Sequence, residues 1–402
     1  MASKVLFIIL DGLGDRPSKK LRGETPLEAA STPNMDFLVR EGICGMQTPL
    51  GLGFTLESGP AHFEIFGYHP YQKFYPGRGV LEALGCNFRL KKEDIAIRVN
   101  FATYRDGKII DRRAGRIKDV SIFEKDLSFE LNGVEFILKA GTEHRAALII
   151  RGENLSEKVS DSDPKKEGRA PKKIKALCKE AKFTAEILNK YIKKAHEILE
   201  KHPENKKRIR KKLLPANFLL LRGAGKYREI PSFMERYSLK ACCIAGAGLY
   251  KGFGRYVGMD ILKVKGVTGG KDTNIEAKFK AAKKALRKYN FVWVHIKATD
   301  LYGHDGDCIG KKEFIEKVDN ALSHILDAKC LKVITGDHST PCSLKEHSGD
   351  EVPILFHGEG VRKDNVLHFG ERDCMQGGLE RIEGKDIMPE ILNLIGKQNV
   401  IE

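Results

Sequence analysis

Three apolar runs in this chain lead into acidic residues, and that repetition limits the folds open to it. Val5-Leu6-Phe7-Ile8-Ile9-Leu10 ends at Asp11-Gly12. Phe291-Val292-Trp293-Val294-His295-Ile296 leads to Asp300, and Leu331-Lys332-Val333-Ile334-Thr335 leads to Gly336-Asp337-His338. Short, unbroken apolar runs mark strands buried on both faces, as in parallel sheets. Residues 278–288 and 311–326 carry helical periodicity, so strand and helix alternate through the last third. This predicts an α/β fold, a mostly parallel sheet with helices on both faces. Ligands of such sheets bind beyond the carboxyl ends of the strands. One Asp in an Asp-Gly turn is ordinary structure; three at equivalent places point to a site.

The middle of the chain reads differently. Between about Gly77 and Gly225 it offers short strands at 94–100, 134–140, 146–150 and 218–221, and an amphipathic helix at 181–199. Residues 223–238, with Gly, Pro and polar side chains, read as a linker. The simplest organisation is a discontinuous domain, 1–72 with 235–402, into which a smaller α+β domain, 73–234, is inserted.

The 402 residues carry a formal charge of +16. A basic chain admits nucleic acid as a partner, but the lysines are dispersed and densest at 172–212, where a solvated helical face accounts for them. No apolar run approaches the ~20 residues of a membrane helix, and Val5–Leu10 is too short for a signal-peptide core. The expectation is a cytoplasmic protein with no membrane or nucleic-acid partner. The nine cysteines show no CxxC or zinc-knuckle spacing and read as reduced, buried thiols. The sequence leaves the oligomeric state open.

Three further segments suggest chemistry. Asp300 and His304, four apart, share one side of a helical turn and can face one cation; carboxylate plus imidazole suits Mn²⁺ or Zn²⁺. Gly336-Asp337-His338-Ser339-Thr340-Pro341 is followed by Glu346-His347-Ser348-Gly349, which puts three candidate ligands in one loop region. In Glu57-Ser58-Gly59-Pro60-Ala61-His62 the serine is an ordinary helix N-cap on local grounds. Beside a divalent cation, its hydroxyl would be acidified into a nucleophile.

Together these residues resemble the alkaline phosphatase superfamily, and within it the archaeal-type cofactor-independent phosphoglycerate mutases. The matching stretches run nearly end to end. Early ones are Asp11-Gly12-Leu13-Gly14-Asp15-Arg16-Pro17, Thr25-Pro26-Leu27-Glu28-Ala29-Ala30 and Gly77-Arg78-Gly79. Later ones include Asn100-Phe101-Ala102-Thr103, Asp111-Arg112-Arg113-Ala114-Gly115-Arg116, Glu143-His144-Arg145-Ala146, Asp161-Ser162-Asp163-Pro164 and Leu221-Arg222-Gly223-Ala224-Gly225. Three departures stand out. Ser58-Gly59-Pro60 replaces the family's frequent Ser-Asp-Thr, Lys165 follows Asp163-Pro164 where His is common, and Tyr68-His69-Pro70 replaces Tyr-Asp-Pro.

The resemblance implies an alkaline-phosphatase-like sheet and two divalent cations, Mn²⁺ foremost, with Zn²⁺, Co²⁺ or Mg²⁺ as alternatives, and no 2,3-bisphosphoglycerate. Asp300, His304 and His347 would hold one ion; Asp11, Ser58, Asp337 and His338 would hold the other. It implies that Ser58 takes the phosphate of 3-phosphoglycerate and returns it to the 2-hydroxyl. For substrate contact the resemblance points to Arg112, Arg113, Arg116, Arg145, Arg151 and Arg222, because a guanidinium grips phosphate and carboxylate in bidentate fashion. His144, Asp161 and Asp163 would orient the glycerate and move protons, and Lys251 would reach a phosphate oxygen. A phosphatase or another phosphomutase on the same fold is the near rival; a basic nucleic-acid-binding protein is the rival of a different class.

Overall fold

The computed structural model describes residues 4–397. These form two compact units, one built from the chain up to residue 75 together with everything from 231 onward, the other from residues 76–230.

The larger unit opens with β1 (Val5–Leu10) and β2 (Ile43–Thr48). The smaller unit then supplies β3 (Ile95–Arg105), β4 (Lys108–Asp111), β5 (Phe129–Leu131), β6 (Val134–Ala140), β7 (Arg145–Arg151) and β8 (Phe218–Lys226). The chain returns with β9 (Ala241–Ile244), β10 (Asp260–Ile261), β11 (Phe291–Ile296), β12 (Leu331–Thr335), β13 (Val352–His357) and β14 (Arg381–Glu383).

The larger unit holds an eight-stranded sheet in the order β10-β9-β11-β1-β12-β13-β2-β14. Its strands run parallel except where β13 pairs with β12 and β2. β1 is buried at every position, and its alternate side chains enter two different cores. Leu6, Ile8 and Leu10 pack with Leu38, Phe279, Phe314 and Val318 from the helices Pro33–Arg40, Ile275–Ala285 and Cys308–Leu322. Phe7 faces the opposite side, where Phe66, Trp293 and Phe253 form an aromatic cluster under the helices Ser58–Ile65 and Gly248–Tyr256. Helices thus cover both faces, which is why the strand sequence shows no polar alternation.

Register does the rest. Leu10 pairs with Ile296 and Ile9 with Thr335. The next residue of β1's strand, Asp11, therefore emerges beside Lys297, and Asp337 follows β12 close by. Gly12 makes the turn possible. Its φ is +61°, and a Cβ there would lie 2.4 Å from Thr340 Oγ1 and 2.9 Å from Asp300 Cβ.

In the smaller unit, β3 is the long central strand of an antiparallel sheet, flanked by β7 and β8. The helix Lys182–Lys201 buries Ile187, Leu188, Tyr191 and Leu199 in its core. The expected linker at 223–238 narrows to 227–232, which form no helix or strand and contain the boundary between the two units. β8 continues through Lys226, and Phe233–Tyr237 is a helix with a capping box. The glycines that suggested a linker serve close packing: a Cβ at Gly225 would sit 1.9 Å from the Pro76 carbonyl oxygen.

Candidate active site

Ser58 is the first residue of its helix, not the cap; Glu57 holds the N-cap position in extended conformation, without a side-chain hydrogen bond. The Ser58 hydroxyl is thereby free of the backbone, and its Oγ lies 3.1 Å from His338 Nε2. Its own carbonyl is bonded by His62 Nδ1 at 2.7 Å, a contact the sequence reading did not single out.

The acidic residues converge here. His338 Nε2 is 3.4 Å from Asp337 Oδ2 and 3.6 Å from Asp11 Oδ1. Asp300 Oδ1 faces His347 Nε2 at 3.3 Å and His304 Nε2 at 3.4 Å. Two groups have ligand atoms close enough for one ion each, Asp11 with Asp337 and His338, and Asp300 with His338 and His347. His338 belongs to both, and its ring stacks on His347 at 3.7 Å. His304 is the outlying member, 41% exposed at its side chain, with Nδ1 on the Lys345 carbonyl.

Behind these residues stands a supporting layer absent from the sequence reading. Tyr250 donates its hydroxyl to Asp11 Oδ2, and His295 Nε2 lies 3.1 Å from the same oxygen. Thr340 donates to Asp300 Oδ1 at 2.8 Å and touches His338 Nδ1 at 3.1 Å. Lys311, wholly buried, ties Asp15 to the carbonyls of Gly14 and Thr340, pinning together the two loops that carry the candidate ligands. Polar partners of this kind fix the orientation of ligands.

The electrostatics follow from burial. Burial alone would raise Asp11 and Asp300, but Lys297 holds both below the usual carboxylate range. Asp337 is pushed well up, by burial first and by Asp11 next. Burial and the nearby His347 press His338 down to about 3, so at neutral pH it offers a lone pair rather than a charge. Asp337 Oδ2 is buried without a hydrogen-bond partner. An orphaned carboxylate oxygen beside a neutral imidazole fits a divalent cation, and the mixed oxygen and nitrogen donors fit Mn²⁺ or Zn²⁺.

The smaller unit carries a basic site of its own. Arg112 grips the buried Asp163 with both arms, at 3.0 and 2.6 Å, and Arg222 Nη1 lies 3.6 Å from the same carboxylate. Asp161 accepts the Gly223 amide, and Lys165 donates its backbone N–H to Asp163. Arg112, Arg113 and Arg116 line a cavity of about 480 Å³ with Asp111, Lys165, Lys166 and Glu167. His144 is pushed down to about 3, by burial first and then by Arg145, Arg113, Arg98 and Arg116. Arg151 is committed elsewhere, bonded to Asp94 at 2.7 and 2.9 Å and to Glu135 at 3.2 Å. Lys251 lies in the larger unit, on the helix Gly248–Tyr256, next to Tyr250.

Arg98 was missed. It sits on β3, and burial together with Arg78, Arg145 and Arg222 presses it down to about 9. The signal was there, a lone arginine inside the apolar strand Ile95-Ala96-Ile97-Arg98-Val99.

Comparison with known proteins gives the class: a metalloenzyme. A family model described as the metalloenzyme superfamily matches residues 3–394. The 2,3-bisphosphoglycerate-independent phosphoglycerate mutase of Pyrococcus abyssi is 48% identical over 405 residues, covering 99% of this chain and 98% of the relative. That of Picrophilus torridus is 45% identical over 392 residues, 97% of each chain. A solved cofactor-independent phosphoglycerate mutase from Thermoplasma acidophilum superposes with a TM-score of 0.71 at 37% identity, covering 98% of this chain and all of the other. The chain belongs to the 2,3-bisphosphoglycerate-independent phosphoglycerate mutases. No helix among the described residues is long and apolar enough to cross a membrane.

Proposed function

We propose that this enzyme interconverts 3-phosphoglycerate and 2-phosphoglycerate through a phosphoserine at Ser58, without 2,3-bisphosphoglycerate. The observation that carries this reading is the position of Ser58 Oγ, 3.1 Å from His338, the imidazole common to both ligand groups. Asp300, His304 and His347 would hold one divalent ion and Asp11, Ser58, Asp337 and His338 the other. Two such ions, Mn²⁺ foremost, supply acidification of the serine hydroxyl and charge neutralisation of the phosphoryl group.

The remaining work belongs to side chains. Ser58 gives up its hydroxyl proton as Oγ bonds to phosphorus, the bond to the 3-oxygen of the substrate breaks, and that oxygen takes up a proton in exchange. Asp11, Asp300 and Asp337 are held in place by hydrogen bonds donated by Tyr250, Thr340 and the Gly12 amide, respectively. The 2-hydroxyl of the reoriented glycerate then attacks the phosphoserine, loses its proton and restores Ser58. His144, neutral through its surroundings, is the candidate proton carrier. Asp163, charge-paired with Arg112 and Arg222, orients those guanidiniums toward the carboxylate and phosphate, while Asp161 holds the Gly223 turn. Arg113, Arg116, Arg145 and Lys251 add donors for the same anions. Holding the glycerate keeps water from the phosphoserine; without that the enzyme would act as a phosphatase.

The test is 3-phosphoglycerate with Mn²⁺-loaded protein, free of 2,3-bisphosphoglycerate, followed by phosphorus NMR. The expected product is 2-phosphoglycerate; inorganic phosphate as the sole product would overturn the mutase reading.

A further inference from the structure

Lys297 stands where one positive charge can reach both ligand groups. It follows β11 directly, and the β1–β11 register sets it beside Asp11. Its Nζ lies 3.0 Å from Asp11 Oδ1 and 2.7 Å from Asp300 Oδ2. Asp11 belongs to one group and Asp300 to the other. The lysine side chain is 20% exposed, while the two aspartates are 0% and 1% exposed.

The two contacts differ in kind. On Asp300 the lysine takes Oδ2 and leaves Oδ1 to His347, His304 and Thr340. On Asp11 it takes Oδ1, the oxygen that also faces His338, while Oδ2 is held by Tyr250 and His295. The ammonium therefore orients Asp300 toward its histidines, and on Asp11 it occupies the oxygen a cation would use. A carboxylate oxygen cannot give full strength to an ammonium and a divalent ion at once.

We propose that Lys297 is a positioning residue for both cation sites, an internal cation that bridges Asp11 and Asp300 and competes with divalent ions for Asp11. It sets how tightly the ions are held and keeps the buried carboxylates balanced in their absence. This rests on the two-cation reading above.

The experiment compares wild type with Lys297→Met, which keeps the stem and removes the charge, and Lys297→Arg, which keeps the charge. Mn²⁺ binding is read by calorimetry and thermal stability is read in chelator. The expected result is that K297M binds Mn²⁺ at one site at least roughly tenfold more tightly and melts lower than wild type in chelator, with K297R close to wild type in both. Folding of K297M only when Mn²⁺ is added is the strongest form of the same result. Unchanged Mn²⁺ affinity with an unchanged melting temperature in chelator overturns the proposal and leaves the two-cation reading standing. Failure of wild type itself to bind Mn²⁺ removes the two-cation reading, and the competition falls with it.

Discussion

Lys278 shows how a single buried residue couples this fold to pH. It is almost completely buried on the helix Ile275–Ala285 and donates to the His295 carbonyl at 2.6 Å. Burial, with Lys251 nearby, presses its pKa from 10.5 down to about 7. The unfolded chain therefore holds this proton more readily than the folded one, so protonation favours unfolding. Stability should climb as pH rises from about 7 toward 10.5 and fall as pH drops through that window. In Lys278→Met that climb should flatten; melting curves recorded across the window check it, and parallel curves for the two proteins would refute it. Residues of this kind were not legible in the sequence, because a lysine in a helix reads as solvated until its face is known. Ser58 was legible only through its company. The local pattern fits an N-cap; in the structure Glu57 holds that position and the Ser58 hydroxyl faces His338 instead.

Among elements, the buried strands were the most legible. Val5–Leu10, Phe291–Ile296 and Leu331–Thr335 match the expected runs end to end, since strands covered on both faces are mostly apolar, with His295, Lys332 and Thr335 the buried polar members. The expected linker was drawn too wide for the opposite reason: β8 carries glycines because neighbouring backbone comes too close for a Cβ, and glycine in a strand looks like a break, so only 227–232 of it remain between the units. The same close approach gives a test. A Cβ at Gly79, on the helix Arg78–Gly85, would fall 2.1 Å from the Ala96 carbonyl oxygen of β3. Backbone cannot yield there, so Gly79→Ala should cost about 3 kcal/mol and displace Arg78 from Arg98. Denaturant unfolding measures the loss; a variant as stable as wild type would contradict this account of the helix–strand contact.

At the scale of the whole molecule, the two units divide the chemistry: acids and histidines in one, a concentration of guanidiniums in the other. On the proposed mechanism a free glycerate must be held while its phosphate rests on Ser58. Arg222 probes it. Removing this guanidinium, 3.6 Å from Asp163, should lower mutase turnover by roughly tenfold to a hundredfold, the scale of a lost charged hydrogen-bonding contact. It should also raise the share of inorganic phosphate among the products. An unchanged rate and product ratio, with an unchanged melting temperature, would show that Arg222 does not touch substrate. The phosphoserine itself is the central claim, and mass spectrometry of peptides from enzyme quenched during turnover with 3-phosphoglycerate and Mn²⁺ tests it most directly. One phosphoryl group should appear on Ser58, and Ser58→Ala should lose both that modification and turnover while melting normally. Continued turnover by Ser58→Ala, or a phosphoryl group on another residue in its place, would contradict the account.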